Sequence, residues 1–137
     1  MPEINFDFDA ASRDLLTRLQ AFFATRDVKA YLVGGFVRDL ALGRAARDID
    51  LAVPADALAL GAVLAAEFGA RPVVLDEANG VIRLVLPHSR SAVQQVDLSA
   101  IHGSLADDLG RRDFTLDAMA CDLSGLALDT PGAVAVS

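Results

Sequence analysis

The residues from 31 to 53 constrain the fold more than any other part of the chain. Their pattern predicts a short strand that ends at Gly34 and Gly35, a short helix, a tight turn and a second strand that carries Asp48 and Asp50. Glycine lets backbone N–H groups approach an anion closely, and the N-terminus of the following helix favours negative charge. Residues two apart on a strand point to one face, so the two carboxylates are expected side by side, with Cα atoms roughly 6–7 Å apart.

A phosphate-binding turn followed by paired carboxylates indicates metal-assisted nucleotidyl transfer, with Mg²⁺ held between the two acids. Each half of the pattern is weak evidence by itself, because most glycine pairs are simple turns and surface strands often carry alternating acids. The apolar neighbours Ile49, Leu51 and Val53 predict a buried opposite face on either interpretation. The close succession of the two halves along the chain favours the functional interpretation.

Composition limits the class of protein. A length of 137 residues with 53% hydrophobic residues is sufficient for one domain with one core. The single cysteine, Cys121, excludes an intrachain disulfide and is typical of a reducing compartment. The first residues do not resemble a secretory signal, and the most apolar run, 57–66, is too short to span a bilayer. We therefore expect a cytoplasmic protein that does not enter the membrane.

The formal net charge of −7 argues against a long basic surface for nucleic acid. Arginines are grouped locally near the first motif, at 38, 44 and 47, and near the second, at 111 and 112. We expect the chain to bind a nucleotide, and any binding of RNA to come from another domain, another chain or one locally basic face.

The rest of the pattern predicts an α/β or α+β unit, a mixed sheet of about five strands flanked by helices. Helices are expected at residues 9–26, 36–42 and 55–68, with Pro54 at the start of the last. Strands are expected at residues 29–33, 47–53, 71–75, 81–86 and 92–98, with a hairpin turn at Asn79-Gly80. Residues 111–120 are predicted to begin a helix and 125–129 to form a last short strand.

Two motifs occur in a fixed order along the chain. The first is Gly34-Gly-Phe-Val-Arg-Asp39 with Asp48-Ile-Asp50, and the second is Arg111-Arg-Asp-Phe-Thr-Leu-Asp-Ala-Met-Ala120. Together they resemble the head domain of the class II tRNA nucleotidyltransferase (CCA-adding enzyme) and bacterial poly(A) polymerase family, in the DNA polymerase beta-like nucleotidyltransferase superfamily. The similarity extends over about residues 30–129.

The resemblance implies a polymerase beta-like fold and transfer of AMP or CMP from ATP or CTP to an RNA 3′ end, with tRNA as the expected substrate and poly(A) tailing as the other possibility. It implies that Asp48 and Asp50 bind the catalytic Mg²⁺ ions. It assigns nucleotide binding to five residues: Gly34, Gly35, Arg38, Arg112 and Asp113. Asp113 either lies on the ribose side or orients Arg112, and Asp39 is expected to be structural.

Asp97 is a candidate third catalytic carboxylate, on a strand that could run beside Asp48 and Asp50. Its neighbours Val96 and Leu98 fit the alternation of a half-buried strand. An acid at a strand end that caps a loop would explain the same residue equally well, and the sequence leaves both interpretations open.

The chain departs from the family pattern in two ways. Asp117 stands where the second motif usually has Asn, so it can accept hydrogen bonds but not donate them. The family enzymes also continue into neck, body and tail segments, whereas residues 1–137 are expected to form a head domain alone, with a helical segment at 1–28 and a tail at 130–137. An exposed neck-facing surface would favour a homodimer.

Two other functions compete with RNA 3′-end transfer. The chain could be a nucleotide-binding or assembly module without catalysis of its own, since the base-reading segments are not in it. It could also modify a protein or a small molecule, although such enzymes usually have Gly-Ser in place of Gly34-Gly35 and lack a counterpart of the second motif.

Overall fold

The computed structural model describes residues 10–33, 48–87, 93–102 and 120–125. Their elements are α1 (Ala10–Thr25), β1 (Tyr31–Val33), β2 (Asp48–Val53), α2 (Ala57–Phe68), β3 (Arg71–Asp76), β4 (Val81–Val85), β5 (Gln95–Ala100) and β6 (Ala120–Asp122), with a 3₁₀ turn at Leu123–Gly125. The predicted mixed α/β class is confirmed, and the sheet in this part of the chain has six strands where about five were expected.

The strands form one mixed sheet in the order β3-β4-β5-β2-β1-β6. Strands β2 and β5 are parallel, and all other neighbouring pairs are antiparallel. The β3–β4 hairpin therefore does not join β2 directly, because β5 lies between β4 and β2. This insertion places β5 beside the strand that carries Asp48 and Asp50.

Helix α1 confirms the helix predicted at residues 9–26. Its apolar residues recur at helical spacing and are buried in the core: Leu15, Leu16, Leu19, Phe22 and Phe23. At the end of the helix the Arg26 guanidinium lies 3.8 Å from the centre of the Phe22 ring and donates a hydrogen bond of 2.7 Å to Glu67. This contact ties the end of α1 to the last turn of α2.

Helix α2 begins two residues later than predicted. The Asp56 carboxylate accepts a hydrogen bond of 3.2 Å from the Ala59 N–H and caps the helix, so Pro54 precedes the cap and does not lie in the first turn. Gly69 ends the helix with φ of 65°, and its N–H donates to the Ala65 carbonyl. Among the described residues, no helix has the length and apolar character needed to cross a membrane.

The predicted β3–β4 hairpin is confirmed. The Asp76 carboxylate accepts hydrogen bonds from the Asn79 N–H at 3.0 Å and from the Asn79 amide at 2.7 Å, and Gly80 adopts φ of 70°. These hydrogen bonds, the side-chain one first, hold the pKa of Asp76 below its usual value. The turn also joins β5, because the Ala100 N–H donates to the Gly80 carbonyl at 2.9 Å.

Strand β6 is the clearest difference from the expected fold. Residues 120–122 pair with β1, at the end of the segment predicted to begin a helix, and the Leu123 N–H donates to the Ala30 carbonyl at 2.9 Å. A three-residue strand has no periodicity of its own, so only its partner strand defines it. The predicted helix at 36–42, residues 111–119 of the predicted helix start and residues 126–129 of the predicted last strand lie outside the described residues.

Replacing Gly61 with alanine is expected to destabilise the domain by about 1–2 kcal/mol. A Cβ at this position would lie 2.5 Å from Cγ2 of Ile82, a buried core residue that cannot move freely. This overpacking outweighs the gain in helix propensity of about 1 kcal/mol. Urea unfolding measures the change in the free energy of unfolding.

A double-mutant cycle with Ile82→Ala provides the control for that prediction. In the Ile82→Ala background only the Cβ of residue 82 remains, at 3.5 Å, which is an ordinary contact, so Gly61→Ala should become stabilising by about 0.5–1 kcal/mol there. The same loss of stability in both backgrounds would contradict the packing explanation.

Candidate active site

Strand β2 carries the two acidic residues because its side chains alternate between the core and the opposite face. Ile49, Leu51 and Val53 are fully buried in the core, while Asp48 is exposed and Asp50 is half-buried. The alternation predicted from the sequence therefore places both carboxylates on the face of the sheet away from these apolar residues.

A single row of residues crosses four strands at the level of Asp50. Arg83 of β4 is opposite Asp97 of β5, Asp97 is opposite Asp50 of β2, and Asp50 is opposite Val33 of β1. Paired residues of adjacent strands point to the same face, and the strands lie about 4.8 Å apart. The row therefore brings a third carboxylate and one guanidinium next to the Asp48–Asp50 pair.

Arg83 and Asp97 form a bidentate ion pair. The Arg83 Nε donates to one carboxylate oxygen at 2.9 Å and one terminal nitrogen donates to the other at 3.0 Å. The Asp97 side chain is 15% exposed and the Arg83 side chain 35%, so the pair is partly shielded from water. The Asp97 hydrogen bonds raise the pKa of Arg83 above its usual value, and the charges of Asp97, Asp48 and Asp50 add to this effect.

The three carboxylates do not converge on one point. Within the part of the chain that the structure describes, no three acidic, histidine or cysteine side chains are close enough together to hold one metal ion. Asp48 and Asp50 offer the hard oxygen ligands that Mg²⁺ prefers. Asp97 directs both of its oxygens towards Arg83.

The two interpretations of Asp97 can now be compared with its position. Asp97 is the third of six residues in β5, and its partner is a side chain on the neighbouring strand. An acid that caps a loop at a strand end would have neither feature, so that interpretation does not fit. A role as third catalytic carboxylate stays a prediction.

Five predicted site residues lie outside the described part of the chain: Gly34, Gly35, Arg38, Arg112 and Asp113. Asp39 and Asp117 lie outside it as well. The described residue nearest to the predicted phosphate-binding turn is Val33, which is opposite Asp50 and is covalently bonded to Gly34.

Sequence reasoning assigned no role to Arg83. The alternation of β4 contains the signal, because Ile82 and Leu84 are buried and the residue between them must face the other side of the sheet. Locating that side chain at the carboxylates required the strand order, which local patterns do not reveal.

The six-stranded mixed sheet with the carboxylate pair on its inner strand β2 can now be compared with known proteins. Residues 30–134 match the family model described as Poly A polymerase head domain, and the chain belongs to this family. The fold and the family inferred from the two motifs are thereby confirmed.

Curated relatives point the same way. The chain is 39% identical over 110 residues to the CC-adding tRNA nucleotidyltransferase of Synechocystis sp.. This alignment covers 78% of this chain and 25% of that protein. It is 33% identical over 119 residues to the A-adding tRNA nucleotidyltransferase of Halalkalibacterium halodurans. That alignment covers 80% of this chain and 28% of the relative. The chain thus spans about a quarter of the length of these relatives.

Solved structures show the same likeness. The Thermotoga maritima CCA-adding enzyme complexed with tRNA superposes with a TM-score of 0.74 at 29% identity, covering 94% of this chain and 30% of that one. A CCA-adding enzyme in complex with CTP gives a TM-score of 0.74 at 28% identity, covering 93% of this chain and 30% of that one.

Proposed function

We propose that this chain is the catalytic head of a nucleotidyltransferase that transfers AMP or CMP from ATP or CTP to the 3′ end of tRNA. The observation that carries the proposal is the Asp48–Asp50 pair on β2, opposite the strand that leads into Gly34 and Gly35. The names of its relatives, which are CC-adding and A-adding tRNA nucleotidyltransferases, support this substrate class.

The metal in this proposal is Mg²⁺, bound by Asp48 and Asp50. Enzymes of the family generally use divalent metal ions, and two carboxylates on one face fit a small hard cation. A bound divalent ion would activate the attacking hydroxyl and neutralise charge on the triphosphate. Asp48 and Asp50 would hold that ion against the strand, and burial of Ile49 and Leu51 behind them would limit their movement.

The nucleotide in this proposal is held by the residues that the two motifs assign. The backbone N–H groups of Gly34 and Gly35 would approach the phosphates, and Arg38 would donate to their oxygens. Arg112 would bind the nucleotide, with Asp113 next to it. A planar guanidinium suits this task because its donors match pairs of phosphate oxygens.

Base choice and tRNA binding are assigned in this proposal to residues outside the chain. CC-adding, A-adding and CCA-adding enzymes all occur among the relatives, and this chain corresponds to about a quarter of their length. A head shared by enzymes with different products is expected to supply the reaction, and other segments are expected to select the base.

Titration of ATP, CTP, GTP and UTP into the protein with Mg²⁺ tests the proposal by calorimetry. We expect Mg²⁺-dependent binding with similar affinity for all four nucleotides, because the head contacts the phosphates and the ion. The Asp48→Asn/Asp50→Asn double variant should lose this binding while keeping its circular dichroism spectrum. Equal binding by the folded double variant would contradict the assignment of the site to this pair.

Location in the cytoplasm and self-association stay predictions. Exposed large apolar residues in the described part of the chain occur on α2 and on the edge strand β3: Val63, Val73, Val74 and Leu75. Such residues on an edge strand are a candidate contact for a second copy, although Pro72 and a register shift between Val74 and Asp76 make this edge less regular.

A further inference from the structure

Strand β3 forms one edge of the sheet, and its outer side is open to solvent. Among the described strands it pairs with β4 alone. The first five of its six residues are exposed, and three of them are consecutive large apolar residues: Val73 at 36%, Val74 at 54% and Leu75 at 47%. An edge strand with exposed apolar residues is a template for pairing with another strand.

The hydrogen bonds at the two ends of β4 define the direction of its backbone groups. The Leu86 N–H donates to the Gln94 carbonyl at 3.0 Å, and the Ala100 N–H donates to the Gly80 carbonyl at 2.9 Å. Both bonds join even-numbered positions of the β4 side to the β5 side. Because backbone direction alternates along a strand, the odd-numbered residues of β4 direct their N–H and carbonyl groups towards β3.

The same alternation identifies the backbone groups at the open edge of β3. Two of the odd-numbered residues of β4 are the partners of Arg71 and Val73, so the backbone groups of Arg71 and Val73 face β4. Pro72 and Val74 alternate with them and face the open edge. Pro72 has no N–H, so it removes no hydrogen bond from the β3–β4 ladder at this position. The N–H and the carbonyl of Val74 are both directed outwards, on a residue whose side chain is also exposed.

We propose that β3 pairs antiparallel with β3 of a second copy of this chain, about a two-fold axis at Val74. In this register the Val74 N–H of each copy donates to the Val74 carbonyl of the other. Val73 comes next to Leu75 of the second copy, so apolar side chains flank the axis. A two-fold contact uses the same surface on both copies, and it therefore closes at the dimer.

The charges at the two ends of β3 fit this register. Arg71 begins the strand, and Glu77 follows its last residue; both side chains are exposed. Arg71 lies three residues before Val74 and Glu77 three residues after it, so antiparallel pairing places Arg71 of each copy opposite Glu77 of the other. Opposite charges at opposed positions stabilise a strand pair, and like charges destabilise it. A parallel pairing in register would place like charges together instead.

This inference does not depend on the proposed function. Strands β4 and β5 lie between β3 and the strand that carries Asp48 and Asp50. With strands about 4.8 Å apart, the carboxylate pair is about 14 Å from the edge strand. We therefore expect the dimer to leave both carboxylate pairs outside the interface, and the Asp48→Asn/Asp50→Asn variant to dimerise as the wild type does.

Sedimentation velocity of the full chain over a series of concentrations measures the dissociation constant of the dimer. We expect a transition from monomer to dimer as the concentration rises, with no larger species. Val74→Lys places two positive charges at the axis and should raise the dissociation constant by at least about tenfold. Val63→Lys is the matched control, because Val63 is 44% exposed but lies on α2; it should stay within about twofold of wild type.

A charge exchange tests the register itself. Arg71→Glu and Glu77→Arg each place like charges opposite each other at both ends of the interface, so each should raise the dissociation constant by about three- to tenfold. The Arg71→Glu/Glu77→Arg double variant restores opposite charges and should return to within about twofold of wild type. The two single variants shift the net charge in opposite directions, so an effect of net charge alone would change their dissociation constants in opposite directions.

Three results would overturn the inference. The first is a chain that stays monomeric at every concentration. The second is a dimer that Val74→Lys weakens no more than Val63→Lys does, because such a dimer would use another surface. The third is a double charge variant that dimerises as weakly as the single variants. Circular dichroism confirms that each variant is folded, and Val74→Pro, which removes the outward N–H, replaces Val74→Lys if the latter does not fold.

Discussion

Replacing Asp50 with asparagine is expected to reduce the proposed Mg²⁺-dependent transfer of AMP or CMP to an RNA 3′ end by at least about a thousandfold, or roughly 4 kcal/mol in the activation barrier. Asparagine has the same shape but no negative charge, so it cannot balance the charge of a divalent ion. The residue lies on β2 with its backbone fixed between β1 and β5, and the acid opposite it on β5, Asp97, is paired with Arg83. Primer extension with radiolabelled nucleotide measures the loss, on this chain or on a longer polypeptide that contains it.

A matched control separates loss of the site from loss of charge. Asp14 is an exposed acid on α1, and Asp14→Asn changes the net charge by the same amount. We expect Asp14→Asn to keep wild-type activity, and Asp48→Asn to lose activity as Asp50→Asn does. Activity near the wild-type level in both β2 variants would show that the reaction does not depend on the pair.

The parts of the fold that the sequence predicted have strong local signals. The spacing of Leu15, Leu19 and Phe22 predicted α1, and the alternation around Asp48 and Asp50 predicted β2 with its acids on one face. In both cases the apolar residues repeat over enough positions to define the element and its buried side. The hairpin was predicted from a different local signal, the Asn79-Gly80 turn, because the backbone conformation of such a turn requires particular residues.

The parts that the sequence did not predict depend on long-range pairing. Strand β6 is defined by its hydrogen bonds to β1, about ninety residues earlier, and nothing in residues 120–122 predicts that pairing. The Arg83–Asp97 pair depends on β5 lying next to β4 and β2 at once. Each residue was visible in its own strand, but the ion pair is a property of the strand order.

Replacing Leu51 with alanine is expected to lower the free energy of unfolding by about 3–4 kcal/mol. Its side chain is 0% exposed and lies in the core cluster between the sheet and the helices. The loss combines the transfer of the removed methyl groups with the cavity that they leave. For a domain whose total stability is about 5–15 kcal/mol, this is a large share. Urea unfolding followed by circular dichroism measures it.

The control is the same substitution at an exposed leucine. Leu75 on β3 is 47% exposed, so Leu75→Ala should change the stability by no more than about 0.5 kcal/mol. Equal losses in the two variants would contradict the assignment of Leu51 to the core.

Leu51 also follows Asp50 directly, so the stability of the core and the geometry of the carboxylates depend on one strand. Leu51→Ala is therefore expected to weaken the proposed binding of Mg²⁺ as well, although the substituted side chain points away from the site.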